Sequence, residues 1–259
     1  MIFSHAKINV FLKIIGRNEN DYHLLVSRFV KIPFLYDTIS FTHHSSPLIA
    51  FTLSGFSFPT KQNLIYKAYQ LLRAHTHSSK LTDFFTHHSV EVVKNIPTMA
   101  GLGGGSSNCA SFLLFCNQEF DLGLSLETLC QIGSQLGSDI AFFLHGYESA
   151  NVFGVGEIIE PFTEEPLEVE LFTPPIACDT VQVYKRYKEL GQAFFDNKAL
   201  QSELTGTSSK EILQSHEASF LNDLLAPALD LYPALQPHLK KDTFFSGSGS
   251  TFFSLALES

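Results

Sequence analysis

The chain has 259 residues, 44% hydrophobic and 17% charged, and its 26 acidic against 17 basic residues leave a net charge of −9. This is too apolar for a disordered chain, and a pI near 5.6 leaves no broad cationic face to attract a nucleic-acid backbone or an anionic membrane, so any anionic ligand has to be held by a local device. The opening Met1-Ile2-Phe3-Ser4-His5 has no basic segment leading into a long apolar core, and no run reaches the ~18 apolar residues of a membrane span; the expectation is a cytoplasmic protein of one large domain or two small ones.

From Ala6 to Ile15, Ile8, Val10, Leu12 and Ile14 alternate with Lys7, Asn9, Phe11 and Lys13, which is the period of a strand with one face in a core and Lys7 beside Asn9 on the other. Gly16 to Asp21 is turn chemistry. Further strands are expected over 23–32, 37–42 and 48–53, separated by Pro33, by the His43 to Pro47 cluster and by Gly55. A helix is expected over 63–74, where Leu64, Ala68, Leu71 and Leu72 share one side, followed by a short strand at 89–94. Beyond a glycine-rich segment, helices are expected over 110–117 and over a stretch marked by Leu126, Leu129, Ile132 and Leu136 that ends at Gly137. The second half offers a strand at 167–172, a helical stretch at 217–225 broken by Pro227, and a hairpin-like segment at 244–253. The seam between two domains, 1–150 and 151–259, is expected after Gly146, near the Gly154 to Glu157 turn.

Cys109, Cys116, Cys130 and Cys178 form no CxxC pair and sit among apolar neighbours, so they read as buried free thiols. The adjacent pairs His43-His44 and His87-His88 point to opposite faces of a strand and cannot chelate one ion together.

Asn95-Ile-Pro-Thr-Met-Ala-Gly-Leu-Gly-Gly-Gly-Ser-Ser-Asn108 carries the most chemistry. Gly101, Gly103, Gly104 and Gly105 let the backbone approach a ligand, and Ser106, Ser107 and Asn108 suit the start of the helix that follows. A glycine-rich loop feeding a helix N-terminus presents free N–H groups and the positive dipole end to a phosphate. The dipole alone supplies only ~0.3–1 kcal/mol, so several aligned donors and a magnesium ion, for which the serine hydroxyls are natural ligands, have to add to it. A flexible turn remains the alternative on the loop alone. No Gly-Lys-Ser or Gly-Lys-Thr occurs, and the spacing GxGxxG from Gly101 or Gly103 meets Ser106 or Asn108 where the last glycine belongs, which excludes the two commonest phosphate loops.

Four segments together resemble the kinase superfamily of galactokinase, homoserine kinase, mevalonate kinase and phosphomevalonate kinase. They are Ala6-Lys7-Ile8-Asn9 with Gly16-Arg17 and Asp21-Tyr22-His23, Ile96-Pro97 to Asn108, Gly137-Ser138-Asp139 to Phe143, and Ser246-Gly247-Ser248-Gly249. Tyr22-His23 is similar to the cytidine-recognition site of the branch that phosphorylates the 2-hydroxyl of a cytidine-diphosphate-bearing methylerythritol. The resemblance implies an α+β, two-lobed fold, with a ribosomal-protein-like N-terminal lobe that binds ATP and a ferredoxin-like C-terminal lobe on the substrate side. It also implies roles for particular residues. Lys7 and Asp139 would be the catalytic pair, Asp139 as base and Lys7 as the cation that positions it. Pro97, Gly101, Leu102, Gly103, Gly104, Gly105, Ser106 and Ser107 would bind ATP, with Asn63 and Lys94 near the adenine and Ser107 on Mg²⁺. Asn9, Tyr22, His23 and Tyr184 would contact the substrate, the two tyrosines stacking on opposite faces of the cytosine. Asn222-Asp223 resembles a helix start of structural importance only. On residue type alone, a solvated strand lysine at Lys7 and a cap for the helix from Ile140 at Asp139 are the favoured readings, and only the joint occurrence of the motifs reverses that.

The chain departs from the superfamily pattern at His5, at Asp21 where glycine is common, at Met99-Ala100, and at Ser138 and Ala141. None of these removes a side chain with a chemical role. A homoserine or mevalonate-type kinase, an inactive nucleotide-binding protein and a nucleic-acid module are the rival readings, opposed respectively by Tyr22-His23, by Lys7 with Asp139, and by the acidic balance. The expected partner is a small molecule with a cytidine diphosphate group, the cofactors are ATP and Mg²⁺, and the expected state is a monomer or weak homodimer, with neither nucleic acid nor membrane as partner.

Overall fold

The structure is a computed structural model that describes residues 1–256. It opens with two long strands, β1 (Ile2–Arg17) and β2 (His23–His43), followed by the two-residue β3 (Leu53–Ser54), α1 (Leu64–Thr76), α2 (Ser79–His87) and β4 (His88–Val93). After the glycine-rich segment come α3 (Gly104–Glu119), α4 (Leu126–Ser134), α5 (Ile140–His145), β5 (Ser149–Phe153), β6 (Ile158–Pro161) and β7 (Val169–Phe172). Five helices follow, α6 (Thr180–Glu189), α7 (Lys198–Gly206), α8 (Ser209–Ser215), α9 (Ala218–Leu221) and α10 (Leu225–Leu231), before β8 (Phe244–Phe245) and β9 (Phe252–Leu255). Among the described residues no helix is long and apolar enough to cross a membrane.

The chain forms two compact units, each discontinuous in sequence. One holds Met1–Ala6, Ile32–Ile96 and Gly104–Gly146, the other Lys7–Lys31, Pro97–Gly103 and the chain from Tyr147 on. In the first unit β4 pairs antiparallel with Thr38 to His43 of β2, and β3 pairs parallel with β4. Helices α1 to α5 supply a core rich in aromatic rings. Phe51 stacks on Tyr69 at 4.5 Å, Phe41 stacks on Phe115 at 4.3 Å, and Phe85 and Phe112 are fully buried. With 25 phenylalanines and no tryptophan, this packing rests on rings without a polar edge, each stabilising the fold by about 1.5–3 kcal/mol when fully buried. Cys109 and Cys116 lie in the same core, the Cys109 thiol pushed up to about 12 by burial, which makes both inert packing groups.

Several sequence expectations need correction. β2 pairs with β1 on one side and runs unbroken through Pro33, which on the other side falls between the stretch that pairs with β5 (Ser27 to Val30) and the stretch that pairs with β4 (Thr38 to His43), so neither of those two ladders needs its missing N–H. The strand expected over 48–53 shrinks to Leu53–Ser54. Helix α3 starts at Gly104, six residues before the expected start at 110, so Gly104 to Ser107 form its first turn rather than a loop. Pro227 does not break a helix; it is the third residue of α10, where the N–H it lacks has no intrahelical acceptor. The Gly154 to Glu157 turn closes the antiparallel hairpin of β5 and β6.

In the second unit Ser27 to Val30 of β2 pair with β5, β5 pairs with β6, and β7, β9 and β8 form a separate antiparallel sheet. A polar knot binds helices to strands here. Arg28, with no exposed side-chain surface, donates from Nε to Asn151 (2.7 Å) and from Nη2 to the carbonyls of Leu204, Thr205 and Thr207, with the Phe162 ring 3.4 Å from its Cζ. Burial pulls the guanidinium down to about 10 and Glu164, 3.6 Å away, opposes that shift. Glu164 in turn accepts from Ser149 Oγ, Ser209 N and Ser209 Oγ at 2.6–2.7 Å. Glu164→Gln should lower the unfolding free energy by about 3–5 kcal/mol in urea titrations, since it leaves a buried cation without its counter-charge and turns an amide NH₂ toward existing donors. A loss under about 1 kcal/mol would mean that the knot is dispensable.

Candidate active site

Strand β1 carries Lys7 and Asn9 two residues apart and therefore on one side. That side is not solvated: Lys7 is 3% exposed and Asn9 2%, which rules out the solvated strand lysine. The cover comes from distant segments of the same unit. Lys7 N donates to Leu102 O (3.0 Å), and Asn9 N donates to Ser246 Oγ (3.2 Å), whose hydroxyl donates to Gly101 O (2.9 Å). Thr251 N donates to Ala100 O (3.2 Å). The first strand, residues 97–103 and the hairpin around Ser246 to Gly249 thus converge. The Lys7 ammonium donates to Asn9 Oδ1 (2.6 Å) and lies over the Phe29 ring, 4.4 Å from its centre.

Sequence reasoning undervalued Asn222-Asp223. The Asn222 amide donates to Phe245 O (2.8 Å) and Gly247 O (2.9 Å) and accepts from Leu224 N (2.8 Å), so a side chain holds the glycine-rich hairpin loop in shape. Asp223 pairs with the buried Lys13 and accepts from Ile14 N (2.7 Å), which docks this corner on β1; burial raises its carboxyl above the ordinary range while Lys13 lowers it. No spacing signal marks either residue.

The expected cytosine-binding residues occupy the same unit. The His23 ring lies 5.2 Å from that of Tyr184 at 31° and 5.5 Å from that of Tyr187, edge-on. Both tyrosines come from α6, whose N-cap Asp179 accepts from Gln182 N. His23 is held neutral, with burial lowering its pKa below 6.5 and Arg17 adding to the shift; its Nε2 is buried with no hydrogen-bond partner among the described residues. Tyr22 is 65% exposed. Asp21 takes φ 63° and Met99 φ 54°, the left-handed region that glycine favours, so two of the departures from the superfamily pattern fall where the backbone itself asks for glycine. Asp21 bonds Lys188 (2.6 Å) and Arg17 (3.1 Å), and the Lys188 bond lowers its carboxyl pKa.

In the other unit, Ser106 and Ser107 sit in the first turn of α3, and among the described residues neither hydroxyl makes a hydrogen bond within the protein. Ser107 is 2% exposed. A Cβ placed on Gly137 would come within 3.7 Å of Ser106 Oγ, so the Gly137-Ser138-Asp139 segment runs beside that turn. Asp139 is half-buried at the N-cap position of α5 in αR conformation, and its side chain does not cap the helix, which removes the capping alternative. Asn63 and Lys94 have local roles in this unit. Asn63 Oδ1 accepts from Ile65 N (2.8 Å) as the cap of α1. Lys94 pairs with Asp37 and donates to Asn108 (3.2 Å). Asp37, fully buried and missed by sequence reasoning, also accepts from Asn95 N and Ile96 N at 2.8 Å, which shapes the entry to the glycine-rich segment.

The family description "GHMP kinases N terminal domain" matches residues 63–147. A 4-diphosphocytidyl-2-C-methyl-D-erythritol kinase of Sulfurimonas denitrificans is 44% identical over 253 residues, covering 96% of this chain and 94% of the relative. The enzyme of that name from a Sulfurovum species is 46% identical, covering 97% of each. The chain belongs to the 4-diphosphocytidyl-2-C-methyl-D-erythritol kinase family. Membership makes it a kinase with the GHMP fold. A crystal structure of 4-(cytidine 5'-diphospho)-2C-methyl-D-erythritol kinase superposes with a TM-score of 0.75 at 28% identity, covering 98% of this chain and 89% of that one. The Methanococcus jannaschii mevalonate kinase shares the fold at a TM-score of 0.60 with 11% identity. Two of the departures of this chain, Asp21 and Met99, take left-handed backbone, while Lys7 and Asn9 on β1 stay buried.

Proposed function

We propose that the chain transfers the γ-phosphoryl group of ATP to the 2-hydroxyl of 4-diphosphocytidyl-2-C-methyl-D-erythritol. The substrate oxygen forms a bond to the γ-phosphorus, the bond from that phosphorus to the β,γ-bridging oxygen breaks, ADP leaves, and Asp139 takes the hydroxyl proton. Lys7 supplies positive charge at the reacting oxygens, and its burial beside Asn9 is the observation that carries the reading: a lysine at 3% exposure whose ammonium is fixed by the Asn9 amide is screened little by water. Main-chain N–H groups of residues 101–107 would receive the ATP phosphates at the start of α3, with Pro97 and Leu102 shaping the approach and Asn63 and Lys94 lying on the adenine side. The unit rich in α1 to α5 is assigned to ATP and the chain beyond residue 150 to the substrate side.

Mg²⁺ fits this site as a companion of the nucleotide. Among the described residues no cluster of three His, Cys, Asp or Glu side chains could hold a metal, whereas Ser107 in the first turn of α3 offers a hydroxyl oxygen, a hard donor suited to an ion otherwise ligated by phosphate and water. When bound, Mg²⁺ neutralises charge on the β- and γ-phosphates. The reading is of a cytoplasmic monomer or weak dimer that takes a small molecule and no nucleic acid.

ADP release measured with the purified protein should require 4-diphosphocytidyl-2-C-methyl-D-erythritol, and turnover of homoserine or mevalonate in its place would overturn the assignment. His23, kept neutral by burial, would accept or donate at the polar edge of cytosine. Because burial lowers its pKa below the ordinary histidine value, KM for the cytidine substrate should stay level from about pH 8 down to neutrality and rise only in acid solution. A rise that begins above neutrality would show that another group governs binding.

A further inference from the structure

A hydroxyl behind Asn9 decides which way its amide faces. Ser27 on β2 has no exposed surface, and its neighbours to Val30 are laddered to β5, so it meets no ligand. Its Oγ donates to Phe11 O and accepts from Asn9 Nδ2 at 3.0 Å. A serine has a single hydroxyl proton. With that proton committed to the Phe11 carbonyl, only lone pairs face Asn9, so Asn9 has to present its NH₂ there and its carbonyl to Lys7, where the bond is 2.6 Å. The flipped amide would set N–H groups against the ammonium and oxygen against oxygen at Ser27. Lys7 and Ser27 thus select the same orientation from opposite sides, while Ser246 Oγ holds only the Asn9 main-chain N–H, and a Cβ added at Gly247 would come to 3.2 Å from Asn9 Oδ1.

We propose that Ser27 is a positioning residue of the kinase reaction, acting through Asn9 to keep an acceptor facing the Lys7 ammonium. The inference rests on the assignment of Lys7 to phosphoryl transfer.

Ser27→Ala should lower kcat about tenfold, the scale of one buried hydrogen bond to a charged group, with KM for both substrates within about twofold. A purely structural serine would instead lower the melting temperature and leave kcat per folded molecule unchanged. Asn9→Asp separates the two further, because a carboxylate offers Lys7 an acceptor in either orientation and has no wrong face. In that background Ser27→Ala should change kcat less than about twofold, and full additivity of the two substitutions overturns the proposal. The side-chain NH₂ of Asn9, followed by NMR, should be protected from solvent exchange in the native protein and lose protection in Ser27→Ala; unchanged protection likewise overturns it. Lys7→Met distinguishes the levels of the argument. If Lys7→Met retains native turnover, the reading of Lys7 fails. If Lys7→Met is inactive and Ser27→Ala turns over like the native enzyme, only the role of Ser27 fails.

Discussion

Asp139→Asn is expected to reduce kcat by about 10² to 10⁴ while ATP still binds, because the amide keeps the shape of the carboxylate and loses its ability to take a proton. Asp139 stands half-buried at the N-cap position of α5 in αR conformation and its side chain does not cap that helix, so the substitution removes no capping bond. ADP release in single-turnover and steady-state assays, paired with nucleotide titration and a thermal melt, separates chemistry from binding and folding. Lys7→Met should be as damaging to kcat for a different reason, removing positive charge from a position 3% exposed where water cannot replace it. A drop in kcat of less than about threefold in Asp139→Asn would deny it the role of base, and a protein that bound ATP equally well and turned nothing over even in its native form would be a nucleotide sensor instead.

The parts of this site that could be read from sequence are those whose chemistry is local. Alternation from Ala6 to Ile15 reveals a strand and puts Lys7 with Asn9 on one side; glycines before serines mark a phosphate-type turn; and Phe244 to Phe253 reads as a hairpin, which β8 and β9 form. What alternation cannot show is that the polar side is buried. The segments that cover it, residues 97–103 and the loop around Ser246, lie about ninety and two hundred and forty positions away. Ser27, Asp37 and Asn222 escape for the same reason: each is an ordinary polar residue until a backbone group from another segment becomes its partner. Helix α2 is a local miss, a nine-residue helix capped by Ser78 that buries only Leu81 and Phe85 before passing directly into β4. Pro33 and Pro227 mislead in the opposite sense: Pro33 falls between the β5 and β4 ladders of β2, and Pro227 stands in the first turn of α10, where its missing N–H had no intrahelical acceptor to lose.

Gly101→Ala should prove nearly as damaging as loss of the base, through backbone alone. Gly101 has φ +75°, which costs an alanine about 1–2 kcal/mol, and an added Cβ would lie 2.0 Å from Ser246 O and 2.9 Å from Ser246 C. Both obstructing atoms are main chain, fixed by Asn222 on one side and by the Ser246 N to Thr251 O bond on the other, so no side chain can swing away. Either the 97–103 segment or the hairpin has to move, and with it go the bonds from Ser246 Oγ to Gly101 O and from Lys7 N to Leu102 O. Loss of about 3 kcal/mol of stability and about a hundredfold in kcat/KM for ATP is expected, checked by urea unfolding and initial rates. Gly123→Ala is the matched control. It has φ +66° and open space around the Cβ position, so it carries the conformational cost without the collision and should lose only about 1 kcal/mol with native kinetics. Equal behaviour of the two variants would mean that the close approach of Gly101 to Ser246 contributes nothing to the site.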